Sequence, residues 1–331
     1  LIRDYKKFIE NFTQLNVTVV GDTIIDRYVD CNIDGVSKED PAIVVNPYSE
    51  KMFLGGAAIV ASHIQSLGAK TQFFSLANED ENSDWVKGEL HKIGIKTEVF
   101  SDGTKKTLVK TRYRANGKNL LRVNNISAPV LNRDLQEKML DRLKSCLESC
   151  DLLIFSDFSY GCLSEEMVGE VIKICKKNNV LMAADSQSSS QLGDINKFIG
   201  VDLITPTEYE ARLANNELNQ SLTKLVDNLY DDLDVSHIIV TLGEEGAFVQ
   251  EKQTPDNTTG LRSDQIESLA LNIKNISGSG DVFLSVASLM MASGATIWEM
   301  AYLGSIASAI HINSDTISAL KKEDLIAGLQ Q

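Results

Sequence analysis

The sequence predicts an α/β fold, a mainly parallel sheet covered by helices on both faces. Three observations lead there. Runs that are apolar throughout, such as Leu152-Leu153-Ile154-Phe155 and Val180-Leu181-Met182-Ala183-Ala184, are separated by helical stretches, which is how strands buried on both faces read. Carboxylates stand just past strand ends, at Asp157, Asp185 and Glu210, on the edge where open α/β sheets bind ligands. The chain has 331 residues, 43% hydrophobic and 24% charged, enough for one large core of this class.

In chain order, Val17-Thr18-Val19-Val20-Gly21 is a β-rich run ending in glycine, with Asp22 and Asp26 behind it. Those carboxylates either accept hydrogen bonds from sugar hydroxyls or serve turn and cap chemistry. Residues 28–54 carry Pro41 and Pro47, alternate weakly and lack a helical stripe. Gly55-Gly56 opens a small-residue helix, Ala57 to Leu67, suited to close packing on a sheet. A strand is predicted over Thr71–Leu76 and a helix over Asn82–Ile93. Between 105 and 124, Lys110, Arg112 and Arg114 share one strand face, and Asn116-Gly117 marks a hairpin. Such a row of cations is either a solvated edge or a grip on an anion. A helix is predicted from Asn132 to about Cys150, with further helices over Glu165–Lys177 and Glu208–Ala214. Leu203–Thr205 and His237–Thr241 read as strands, another starts at Gly246, and 252–266 reads as a polar loop or edge hairpin.

The most informative stretch is Asn275-Ile276-Ser277-Gly278-Ser279-Gly280-Asp281, followed by an apolar run from Val282 to Met291. Gly278 and Gly280 permit a sharp turn and close backbone approach to a ligand. The run behind them reads as a helix, whose unpaired N–H groups and positive dipole end hold anions. Asp281 stands at the mouth of that site. A carboxylate beside a bound polyanion is repulsive. The chemistry that explains it is a base taking the proton from a hydroxyl that attacks a phosphate. The local alternative is a helix N-cap.

The net charge of −14 argues against nucleic acid as the main partner. Five cysteines at scattered spacing suggest no disulfide framework; Cys146 and Cys150, four apart, are expected to be buried small apolar residues. With no signal peptide and no bilayer-spanning run, a cytoplasmic location without membrane partners is expected. Gly21-Asp22-Thr23 lacks the dinucleotide fingerprint, and no Gly-x₄-Gly-Lys-Ser/Thr occurs, which disfavours oxidoreductases and P-loop enzymes.

Taken in order, Val20-Gly21-Asp22 with Asp26, Gly55-Gly56-Ala57-Ala58, Thr241-Leu242-Gly243-Glu244-Glu245-Gly246 and Gly278-Ser279-Gly280-Asp281 resemble the ribokinase-like (PfkB) carbohydrate kinases over nearly the whole chain. Within that family the sequence looks most similar to the heptose-7-phosphate kinase domain. That similarity rests on Gly21 to Tyr28, Ser37 with Glu39 and Pro41, Lys110-Thr111-Arg112 with Arg122, and Ser156-Asp157-Phe158 with Gly161. The resemblance implies a three-layer α/β/α sandwich forming a single kinase domain over 1–331. A small β-sheet lid would be inserted at about 28–54 and 104–125. It implies ATP-dependent phosphorylation of a sugar or sugar-phosphate hydroxyl with Mg²⁺, and lids that pair into a homodimer.

By that resemblance Asp281 matches the catalytic base and Gly278, Ser279 and Gly280 the anion hole. Thr241, Gly243 and Gly246 match the nucleotide site, and Glu210 the residue acting on Mg²⁺ through water. Asp22, Asp26, Gly55, Gly56, Lys110, Arg112 and Asp157 match substrate contacts. Some positions depart from the pattern. Ser279 replaces an Ala, Thr207 an Asn, and Ile59 the Asn after the double glycine. Tyr160 and Gln187 stand where the heptose kinases have lysines. Asn275-Ile276 replaces an Asp-Thr, which leaves a monovalent-cation site near that loop in doubt. These changes leave open a regulatory sugar- or nucleotide-binding protein on the kinase fold. None of His63, His91, His237 and His311 lies in the His-x-Gly-His signature of the nucleotidyltransferase often fused to heptose kinases, and packing or surface roles are expected for them.

Overall fold

Behind a short helix, α1 (Tyr5–Asn11), one strand organises the molecule: β1 runs from Asn16 to Val36 and belongs to two sheets. The structure, a computed structural model, describes residues 5–101, 103, 106–125, 133–188, 191–216, 218–252, 262–271, 273–274, 276–314 and 318–330. After β1 come β2 (Ile43–Gly56), α2 (Ala57–Ser66), β3 (Lys70–Leu76), α3 (Glu81–Lys92), β4 (Lys96–Phe100), β5 (Leu108–Ala115) and β6 (Lys118–Asn125). The chain continues through α4 (Arg133–Leu147), β7 (Leu152–Asp157), α5 (Glu165–Asn178), β8 (Leu181–Ser186), β9 (Leu203–Ile204), α6 (Glu208–Ala214) and α7 (Leu222–Leu233). It closes with β10 (His237–Thr241), β11 (Ala247–Gln250), β12 (Ser263–Ile266), α8 (Ser279–Ala292), α9 (Ile297–Asn313) and α10 (Lys322–Gly328).

The main sheet has the order β12-β11-β10-β9-β8-β7-β1-β3-β4. It is parallel from β10 to β4, with β11 and β12 antiparallel at one edge. The far half of β1 leaves it and pairs with β2 and β5, and β6 pairs with β5, giving a small lid-like sheet. The crossing point explains Gly21. A Cβ there would overlap the Ser156 carbonyl oxygen and lie 2.8 Å from the Cβ of Ala57, so strand and helix meet closely only over glycine.

Helices cover both faces, the three-layer sandwich that the sequence predicts. On one side α2, α8 and α9 bury Ala57, Ala61, Val282, Val286 and Leu303 against the sheet; on the other α4, α5 and α7 bury Met139, Val168, Val171, Leu225 and Leu229. The run Val282–Met291 is apolar throughout because α8 is covered on every side. Helix α7 is amphipathic instead, burying Leu225, Val226, Leu229, Tyr230 and Leu233 at helical spacing. No helix among the described residues is long and apolar enough to cross a membrane.

Residues 28–54, expected as part of a β-sheet lid, mostly form the paired strands β1 and β2, which a bulge after Asp30 shifts in register. The structure differs from the sequence expectation in two places. The helix expected over 132–150 is α4, ending at Leu147, and Asn132 lies outside the described residues. Cys146 and Cys150 are free and only half-buried, beside a cavity of about 290 Å³ at the opposite edge of the sheet from the strand-end carboxylates. The Asn116-Gly117 hairpin forms with both residues at positive φ, 50° and 76°.

Candidate active site

The start of α8 forms the floor of the site. Gly278, with φ 86°, is the N-cap, and Ser279, Gly280 and Asp281 are the first helical residues. Asp281 is therefore not the N-cap that the local sequence allows. The Ser279 N–H lies 3.4 Å from the Ile276 carbonyl, and that of Val282 bonds the Gly278 carbonyl at 3.1 Å. Between them, the N–H groups of Gly280 and Asp281 have no acceptor among the described residues. Two amides at the positive end of a helix are an anion site. From behind, His311 Nε2 donates to the Ser277 carbonyl at 2.9 Å. Its ring meets His63 edge-on at 5.9 Å, and His63 Nδ1 accepts from the Leu320 N–H. Burial, then the neighbouring His311, pushes His63 down to about 3, so this brace is neutral.

Two cavities meet at the loop. A cleft of about 840 Å³ has walls from both sheets, including Asp26, Gly56, Lys110, Arg112, Gly278 and Asp281. A cavity of about 300 Å³ on the other side is lined by Thr241, Gly243, Gly246, Ser279, Gly280 and Phe283. Ile276 lines both. Gly246 is required where it stands: φ is 97°, and a Cβ would overlap the Ile266 carbonyl oxygen.

Asp281 is 6% exposed, and its Oδ1 accepts from Gln187 Nε2 at 2.6 Å. Burial raises its pKa to about 7; Gln187 and Lys110 pull it down, and Asp26 pushes it up. Arg112 pairs with Asp26, and Arg114 with Asp30 at 2.9 Å. Both guanidiniums lie over the Tyr28 ring, at 5.0 and 4.5 Å from its centroid. The Lys110 ammonium sits 5.5 Å from the Phe158 ring and 5.3 Å from that of Tyr160, the residue found where a lysine was expected. Arg122 lies directly opposite Arg112 across the β5–β6 pair and also lines the cleft. Like charges so placed are unfavourable, and an anion between them relieves the repulsion.

Four carboxylates reach the strand ends without lining either cavity. Asp22, 2% exposed, accepts from the N–H groups of Phe158, Tyr160 and Cys162 at 2.9–3.2 Å, so it fastens that loop instead of facing the cleft. Burial, then Asp157, raises it to about 6. Asp157 is ion-paired with Lys197 at 2.7 Å and accepts from Ser186 Oγ. Glu210 closes a capping box with Thr207 and accepts from the Ser188 N–H at 2.5 Å. Asp185 is pushed well up by burial and by Glu210, Asp281 and Asp157. Asp22 and Asp157, expected as substrate contacts, and Glu210, expected to act on Mg²⁺ through water, all make internal bonds here, as buried charges must.

Sequence reasoning named none of Gln187, Tyr28, Lys51 or His311 as a site residue, yet all touch the cleft or its loop. Tyr28, whose phenol bonds Ser277, and Lys51 carry an alternation signal on β1 and β2. Nothing in the spacing links 187 or 311 to the loop.

The model of the pfkB family carbohydrate kinases matches residues 14–322. The chain belongs to that family. It is a carbohydrate kinase, a phosphotransferase with an alcohol as acceptor. Among curated proteins it is similar to the bifunctional protein HldE of Desulfatibacillum aliphaticivorans, 28% identical over 96% of this chain, and to that of Sulfurimonas denitrificans, 27% identical over 98%. It spans 64% of the first and 67% of the second. Among solved structures it shares the fold of Escherichia coli phosphofructokinase-2 in complex with substrates and products: TM-score 0.75, 15% identity, 95% of this chain and 97% of that one. The ribokinase of Arabidopsis thaliana complexed with ribose and ATP gives a TM-score of 0.72 at 16% identity, covering 96% and 99%.

Proposed function

We propose that this kinase transfers the γ-phosphoryl group of ATP to a hydroxyl of a sugar phosphate, with a heptose 7-phosphate as the closest candidate. The observation that carries the reading is the junction of two cavities at one loop, with a buried carboxylate on the cleft side and unpaired amides at the boundary. ATP occupies the side of Thr241, Gly243 and Gly246, and the sugar lies against Asp26, Gly55 and Gly56. As the acceptor oxygen bonds to phosphorus, its proton passes to Asp281, and the bond from phosphorus to the β-phosphate oxygen breaks to release ADP. The Gly280 and Asp281 amides meet the charge on the moving group. A base titrating near 7 is ionised in a useful fraction at neutral pH and still binds a proton.

The cations favour an acceptor that already carries a phosphate. Arg112 and Arg114 are matched by Asp26 and Asp30, whereas Arg122 adds charge to the same face, with Lys51 and Lys110 on the same cleft. A magnesium ion fits the site only at one remove. Among the described residues no group of three or more His, Cys, Asp or Glu forms a direct cage, and both Glu210 oxygens accept protein hydrogen bonds. Asp185 and Glu210 nevertheless form a buried carboxyl pair next to Asp281, which would hold the water shell of such an ion. When bound, the ion neutralises charge on the phosphates.

Residues 1–331 act as a single kinase unit in this reading, with the segments 28–54 and 104–125 as its lid. Leu121 and Val123 pair with Tyr113 and Thr111, on the face away from Arg112, and are exposed together with Ile33, Val36 and Ile43. That face suits a second copy of the chain, which light scattering at several concentrations tests. The function is tested by incubating the protein with ATP, Mg²⁺ and D-glycero-D-manno-heptose 7-phosphate, fructose 6-phosphate or ribose, reading products by ³¹P NMR. A phosphorylated heptose product is expected. Arg122→Ala should raise KM for the phosphorylated acceptor roughly 10-fold with little change in kcat, as loss of uniform binding does. Nucleotide binding without product from any sugar would favour the regulatory alternative.

A further inference from the structure

We infer that Gln187 is a positioning residue for Asp281: its side-chain amide holds one carboxylate oxygen and leaves the other for the acceptor hydroxyl. This rests on the reading of Asp281 as the base. The main chain on both sides is fixed. The Gln187 N–H donates to the Asp157 carbonyl at 2.8 Å at the end of β7, and the Asp281 carbonyl accepts from Ser285 Oγ at 2.7 Å within α8. Among the described residues the Asp281 side chain accepts one hydrogen bond, from Gln187 Nε2 to Oδ1 at 2.6 Å. Oδ2 is the carboxylate oxygen nearest the Gly278 position, 3.7 Å from where a Cβ there would stand. Nε2 also stands 4.0 Å from the Cβ position of Gly280, so it reaches over the anion site. One amide therefore sits between proton acceptor and phosphoryl acceptor site.

The same contact lowers the proton affinity of the base, which burial raises. Asp281 faces Asp26 and Lys110 from the lid-like sheet and Asp185 from β8. Burial raises the pKa of Asp281, and Asp26 acts in the same direction. Gln187 and Lys110 oppose them. A neutral amide orients the carboxylate while lowering its pKa less than a cation at the same place, and it leaves the base titrating close to neutral pH.

The test compares Gln187→Leu, Gln187→Asn and Gln187→Lys with Asp281→Asn, using ATP and D-glycero-D-manno-heptose 7-phosphate. Gln187→Leu, and Gln187→Asn with its side chain one methylene too short, are expected to lose roughly 10- to 100-fold in kcat, the cost of a misplaced reacting group. KM for ATP should stay unchanged, and the acid limb of the pH profile should move to higher pH. Gln187→Lys restores a donor; it should recover kcat and move the acid limb to lower pH. ATP-induced thermal shifts report folding, and if Gln187→Leu does not fold, the Asn and Lys variants decide. Wild-type kcat with an unmoved acid limb in the Leu or Asn variant overturns the inference, as does a raised KM for ATP at unchanged kcat. Wild-type turnover in Asp281→Asn removes the base itself. An inactive Asp281→Asn beside indifferent Gln187 variants removes only the positioning role.

Discussion

Gly280→Ala separates the chemistry of the loop from its folding. Gly280 is the second residue of α8, and its φ lies outside the left-handed region that only glycine tolerates easily. A Cβ built there meets a single neighbour, Gln187 Nε2, at 4.0 Å, an ordinary contact. Alanine is the better helix former by up to ~1 kcal/mol. The substitution should leave the melting temperature unchanged or raise it by about 2 °C. The added methyl, however, stands over the amides that the proposed mechanism assigns to the phosphoryl group. Displacing that group from one donor should cost roughly 10²–10³ in kcat, about 2.7–4 kcal/mol of transition-state stabilisation. Coupled measurement of ADP release at saturating acceptor reads kcat, and calorimetry of the same samples reads stability. Gly278→Ala is the control of opposite kind. With φ 86° and its Cβ 3.2 Å from His311 Nε2, it should lose ~1–2 kcal/mol of stability. A stable Gly280→Ala enzyme with wild-type kcat would mean that the phosphoryl group does not lie over these amides.

Asp281→Asn should lower kcat about 10²–10⁴-fold while nucleotide binding survives. The folded pKa of Asp281, about 7, lies above its ordinary 3.8, so its protonation stabilises the fold at low pH and that stability is lost as pH rises through 7. The Asn variant should therefore be more stable than the parent at pH 8, and its advantage should shrink by roughly 2–3 kcal/mol at pH 5, measured by urea unfolding. Asp22→Ala leaves the amides of Phe158, Tyr160 and Cys162 without their acceptor, and should cost roughly 3 kcal/mol or more in the same assay. Tyr160→Phe removes a buried hydroxyl that has no partner among the described residues and keeps the ring beside Lys110; it should gain about 1 kcal/mol, and a loss would mean that the hydroxyl has a partner.

The fold and the loop were legible because they rest on local rules. Apolar runs separated by helical stretches gave the parallel sheet, and Asn116-Gly117 gave its hairpin. Two glycines before an apolar helix gave the turn and the start of α8. What stayed hidden depends on distances that no spacing encodes. Asp22 and Asp26 look alike in sequence, four residues apart on one strand. Yet Asp22 lies where β1 leaves the buried sheet and meets three amides, whereas Asp26 lies in the lid-like sheet and meets Arg112. Gln187 looks like a lost lysine until α8 brings Asp281 against it from 94 residues away.

Strand β1 carries a consequence for anyone recombining this enzyme with its relatives. Its residues Asn16–Asp22 are zipped between β3 and β7, Thr23–Val36 pair with β2 through two register shifts, and Ile24–Asp30 also pair with β5. The cover over the cleft is thus no detachable cassette. A chimera joined between Asp22 and Tyr28 inherits two registers that were never selected together, and a slip of one residue turns Asp26 and Tyr28 outward. Crossovers belong at the Asn116-Gly117 tip, where a graft exchanges the far edge and leaves the shared strand intact.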